Sequence, residues 1–166
     1  MRKIAIISAT VVAVYAGVST AAPEEMTVSR LIGICTVSSI KDASARGDEL
    51  GWQRMSEADT SQWRSAFAGY NGVSVDVVGW KREPSDNTDS LSFWIAVGPN
   101  GHQACVYSTK RPAGLMDALK ARLGPPVSFD HIKEIESTTA FWKKEGMEYA
   151  FSQTGSSAMI HIRKVW

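Results

Sequence analysis

The stretch from Val73 to Tyr107 constrains the fold more than any other part of the chain. Leu91, Phe93, Ile95 and Val97 recur at every second position, and the run stops at Pro99-Asn100-Gly101. A period of two is the signature of a strand with one buried face. Proline presets the first turn position, asparagine suits the second, and glycine supplies the left-handed residue of a three-residue hairpin loop. That loop pairs Gly98 with His102, so Ile95 faces Cys105 and Phe93 faces Tyr107. Cys105 then lies on the apolar face of the returning strand.

The rest of the chain reads as helices alternating with further strands. Val28, Leu31, Ile32 and Cys35 follow the i, i+3, i+4, i+7 rule of a helical stripe that Ala43 and Leu50 extend, and Gly47 suits its end. A second helix starts near Thr60, with Trp63 and Phe67 on its inner face. Val73 to Arg82 is a strand with Val73, Val75 and Val77 inward, and a polar loop, residues 83–90, follows it. Pro112 opens a third helix that carries Leu115, Leu119 and Leu123 and stops at Gly124-Pro125-Pro126. Residues 129–135 are ambiguous between a short helix and a strand. Thr138 to Lys144 turns at Glu145-Gly146 into Met147 to Gln153, and Ala158 to Trp166 closes the set. Trp142 and Tyr149 meet in that hairpin. The expected fold is α+β: one antiparallel sheet of about six strands, two to three helices on one face, order α-α-βββ-α-βββ.

The first residues read as an address. Met1-Arg2-Lys3 is positive, residues 4–18 carry no charge, and Ser19-Thr20-Ala21 gives a small-x-small site. These are the parts of a secretory signal peptide cut after Ala21, leaving residues 22–166 as a single domain in the periplasm or secreted. The apolar run is short for a membrane span, and no second long one follows. Of 166 residues, 44% are hydrophobic and 21% charged, and 18 basic residues face 17 acidic ones. That balance gives no field to hold a polyanion, so nucleic acid is not an expected partner.

Two cysteines cannot make a four-cysteine zinc site. Cys35 on the helical stripe and Cys105 on the inner strand face are the one pair available to an oxidising compartment. The alternative is two separate buried thiols. Both readings make them structural.

Chemistry is sparse. His102, His131 and His161 form no His-x-x-x-His or His-x-His pair, and no Gly-x-Ser-x-Gly, Gly-x-Gly-x-x-Gly or phosphate loop occurs. No catalytic residue, metal ligand or cofactor site is assigned. Asp130-His131 are adjacent, an arrangement poorly suited to a triad. Met159 and His161 share a strand face, as a soft copper(I) pair would. Trp80 and Trp94 each alternate away from the apolar residues beside them. They are therefore expected on the outer sheet face, rimmed by Lys81, Arg82, Lys110 and Arg111, as anchors for a protein or envelope component. The expected function is a non-enzymatic binding or envelope-accessory module. The alternatives are a small hydrolase with a dispersed histidine site and a Met/His copper-handling protein.

Overall fold

A computed structural model describes residues 24–71, 73–82 and 89–164. The expected leader, residues 1–21, lies outside the described residues, as do most of the polar loop and the terminal Val165-Trp166. The described elements are α1 (Val28–Cys35), α2 (Ile40–Asp48), β1 (Gln53–Arg54), α3 (Glu57–Asn71), β2 (Ser74–Lys81), β3 (Ser90–Val97), β4 (His102–Thr109), α4 (Leu115–Leu123), β5 (Ser128–Ile132), β6 (Ser137–Lys144), β7 (Met147–Thr154) and β8 (Ser157–Lys164), with a 3-10 turn (Lys133–Ile135) between β5 and β6. None of the described helices is long and apolar enough to cross a membrane.

The fold is α+β on an antiparallel sheet, as the strand alternation requires. The sheet has eight strands rather than about six, in the order β1-β2-β3-β4-β8-β7-β6-β5. Two meanders, β1–β4 and β5–β8, meet at one seam where Cys105 pairs with Ile162. The two extra strands, β1 and β5, are the edges. β1 is two residues long, too short to show a period, and β5 resolves the ambiguous segment as a strand followed by a helical turn.

Among the described residues four α-helices replace the expected two to three. The first apolar stripe is broken in two because side chains cap both ends of the break. The Thr36 hydroxyl donates to the Ile32 carbonyl at 2.8 Å, closing α1. The Ser39 hydroxyl accepts from the Asp42 N–H at 3.0 Å, opening α2. Gly47 sits inside the last turn of α2 and not at its end. A Cβ there would lie 2.1 Å from the Trp80 ring, so the glycine lets the helix rest directly on the indole.

Helices cover both faces, not one. The main core packs α1, α2 and α4 against Trp80, Phe93, Cys105, Trp142, Phe151 and Ile162 of the sheet. A smaller core on the opposite face packs Trp63 and Phe67 of α3 against Val75, Trp94, Ala96 and Ala104. This corrects the orientation of β2. Val75 and Val77 point to α3, whereas Val78 and Trp80 point into the main core, since Val78 pairs with Phe93 and Trp80 with Leu91. Both phases of β2 are apolar because both of its faces are covered.

The β3–β4 register also shifts by two residues. Phe93 pairs with Cys105, Leu91 with Tyr107 and Ala96 with His102. The Gly101 N–H donates to the Gly98 carbonyl at 2.9 Å, closing a turn over Pro99-Asn100. Gly98, at φ 140°, then lies within the loop of residues 98–101. An even shift preserves the faces, so Cys105 stays inward. There it bonds Cys35, with a Cα–Cα distance of 5.4 Å across 70 residues of sequence.

Candidate functional site

A partly enclosed space lies between α3 and the outer face of β2–β4. α3 is fixed at both ends. At its start the Ser56 N–H donates to the Asp59 carboxylate at 2.8 Å, while the Asp59 N–H donates back to the Ser56 hydroxyl. The Met55 N–H reaches the Gly79 carbonyl at 2.8 Å, and Lys81 pairs with Asp59 at 2.9 Å, tying this end to β2. At the far end the Asn100 amide donates to the Tyr70 carbonyl. In the middle Trp63 and Phe67 meet Trp94 edge to face, with ring centres 5.2 and 5.6 Å apart.

Beside these rings is a cavity of about 320 Å³. Ser90, Ser92 and Ser108, with Val77 and Val106, form its floor; Trp94 and Trp63 form a wall, and Asp59 and Thr60 line the helix side. The three serine hydroxyls have no side-chain hydrogen bond among the described residues. Volume, aromatic wall and a few convergent polar groups are the usual features of a small-ligand pocket. The serine row does not stop there. Ser90 pairs with Ser108, Ser108 with Met159, Met159 with Ser152, and Ser152 with Thr139. A second concavity of about 390 Å³ shares Ser108 and runs over Met159 and Ser152. No described helix covers this half of the outer face.

The predicted anchors divide between the faces. Trp94 is on the outer face as expected, but only 4% exposed because α3 covers it. Lys81 stands on the same side, beside Asp59. Trp80 is fully buried in the main core, where its Nε1–H donates to Asp48 Oδ1 at 2.9 Å. Arg82 and Arg111 are held in an ion-pair network. Arg111 reaches the buried Asp89 at 2.6 Å, Arg82 reaches Glu25 at 2.7 Å, and Thr109 donates to Asp89 at 2.7 Å. The Arg82 guanidinium holds the Glu25 carboxyl below its ordinary value. This network straps the residues before α1 to β3 and β4. Burial also pushes the Tyr107 phenol up to about 12.

Two of the three histidines, His102 and His161, meet at Trp94, and His131 stands apart from them. Trp94 Nε1–H donates to His102 Nε2 at 3.1 Å, so Nε2 is unprotonated, and Nδ1 lies 3.1 Å from the Asn100 carbonyl as the N–H partner. His131 contacts the Thr138 hydroxyl at 2.9 Å on the outer strand pair. His161 stacks on Trp94 with ring centres 5.8 Å apart, and its Nε2 is buried without a hydrogen-bond partner among the described residues. Met159 shares its face, half-exposed. Among the described residues no three His, Cys, Asp or Glu side chains stand close enough to hold a metal ion.

Burial lowers the His161 pKa from 6.5, with Arg163 adding to the effect. The native state thus favours neutral imidazole. Stability is full above the unfolded value, near 6.5, and is lost as pH falls through the lower folded value. The fall in melting temperature from pH 7 to pH 5 is therefore expected to be smaller in His161→Gln than in the native sequence. Equal falls would show that His161 carries none of it.

The serines and Asp59 were not among the predicted site residues. Their signal was present: once Leu91 and Phe93 face inward, Ser90 and Ser92 must share the outer face with Trp94. Compared with models of protein families, with curated proteins and with solved structures, the chain matches none.

Proposed function

We propose that the chain is an exported, non-enzymatic binding module that holds a protein or envelope component on its outer sheet face. The observation that supports this reading is the groove under α3. Its row of three serine hydroxyls, without a side-chain hydrogen bond among the described residues, runs beside Trp63 and Trp94 and continues onto a half-sheet that no described helix covers. A side chain that only completes a core has no need of such an opening, whereas an elongated polar ligand uses both halves of it. Trp94 is the rigid wall, Lys81 and Asp59 mark one mouth, and Met159 marks the passage onto β8 and β7.

The experiment is native mass spectrometry of the protein isolated from its own compartment, compared with a groove-filled Ser92→Trp variant of unchanged melting temperature. The expected result is a heavier bound species with the native sequence and its loss, by about tenfold or more in occupancy, in the variant, a difference of about 1.4 kcal/mol. Retention of the same species by Ser92→Trp overturns the groove as the site. A bare chain in both overturns tight binding altogether. The denatured mass of the same sample tests the cut after Ala21.

A further inference from the structure

The two edges of the sheet are built differently. β1 ends one side with two residues, Gln53 and Arg54, a short charged edge of the kind that discourages pairing. β5 ends the other with five residues, all exposed. One side of its backbone pairs with β6, and the other has no neighbouring strand among the described residues. Exposed large apolar side chains lie in it, Phe129 at 53% and Ile132 at 43%, and flank it, Val127 at 71% before it and Ile135 at 58% in the turn after it. Neither lysine nor proline interrupts the strand itself. An edge of this kind is a template for another extended chain.

We propose that this edge pairs with β5 of a second copy of the chain, antiparallel and centred on Phe129. The choice of occupant and register follows from the sequence of the strand. A two-fold axis normal to the sheet keeps each face continuous only if it passes through a residue position, so that each residue meets one of the same face. Centring on Asp130 sets two carboxylates directly opposite each other. Centring on His131 sets Asp130 against Ile132 and Phe129 against Lys133, charge against apolar in every flanking pair. Centring on Phe129 sets ring against ring, Ser128 against Asp130 on both sides, and Val127 against His131. The serine hydroxyl donates to the facing carboxylate, and the two phenyl rings form a cross-strand aromatic pair. Pro126 falls opposite Ile132 and, having no N–H, ends the ladder there. Lys120 of α4 lies over the Phe129 ring at 5.1 Å and covers its core side. The strand thus fits itself, and five paired residues make a weak, reversible dimer and not an obligate one.

Sedimentation of the purified protein over a range of concentrations tests this. The expected result is a mass that doubles with concentration. Phe129→Lys, an exposed change that leaves the melting temperature in place, is expected to weaken the dimer about tenfold or more, because it removes the ring pair and opposes two like charges. Under mild oxidation Phe129→Cys is expected to give a covalent dimer, whereas Asp130→Cys and His131→Cys do not. A monomer at every concentration overturns the proposal. So does a dimer that Phe129→Lys leaves unchanged, or cross-linking through residue 130 or 131 in place of 129. The groove reading is untouched by any of these results, since β5 lies at the far edge of the sheet from α3.

Discussion

Trp80→Ala is expected to cost about 3–5 kcal/mol of folding stability, the usual range for deleting a large buried aromatic. The side chain is fully buried, its Nε1–H is bonded to Asp48, and α2 rests on its ring through Gly47. Removal leaves a void beneath α2 that the helix cannot fill, because its contact residue there has no side chain. Natural domains hold only about 5–15 kcal/mol in reserve, so the variant is expected to lose a large share of its stability. Urea unfolding monitored by circular dichroism checks this through a lower midpoint at an unchanged slope. A loss under about 0.5 kcal/mol, typical of surface changes, would return Trp80 to an exposed face.

The second large effect concerns the cystine. Cys35 and Cys105 are both fully buried and close a loop spanning 70 positions. Loop-closure entropy for a ring of that size amounts to about 4 kcal/mol. The double variant Cys35→Ala/Cys105→Ala is therefore expected to unfold at a markedly lower guanidinium concentration. Native protein treated with reductant is expected to fall to within about 1 kcal/mol of it, because both lack the same constraint on the unfolded chain. Reductant that leaves the native midpoint unmoved would show that the bond contributes nothing.

How far the sequence reached depended on how many faces of each element are covered. The β6–β7 hairpin was legible because one residue pair sets it. Glu145 and Gly146 both take positive φ, 53° and 74°, the conformation of a primed two-residue turn, and the register then places Trp142 opposite Tyr149. The cysteine pair was legible because both positions fall on apolar phases that survive a two-residue slip. β2 was not. Val75 and Val77 occupy one phase while Val78 and Trp80 occupy the other, and periodicity cannot rank two covered faces. The same ambiguity hid the side on which α3 docks, although Trp63 and Phe67 marked it as a helix. The groove followed α3 out of sight. Its floor is made of serines, and a serine on the outer phase of a strand looks the same whether water or a helix lies above it.

The seam between the two meanders has a consequence for how the molecule comes into being. β4 is completed by Thr109, yet its neighbour in the sheet is β8, the last strand described. A chain emerging from a ribosome or a translocation pore, N-terminus first, can join Cys35 to Cys105 while α4 and β5–β8 are still inside. It cannot complete the sheet until β8 is out. For that interval the first half is covalently tied but has an open strand at its margin, bearing Cys105 and Tyr107 on the side meant for the core. The bond is thus an early fastening and the seam a late one. The period between them is when the nascent molecule most needs protection from pairing with the wrong strand.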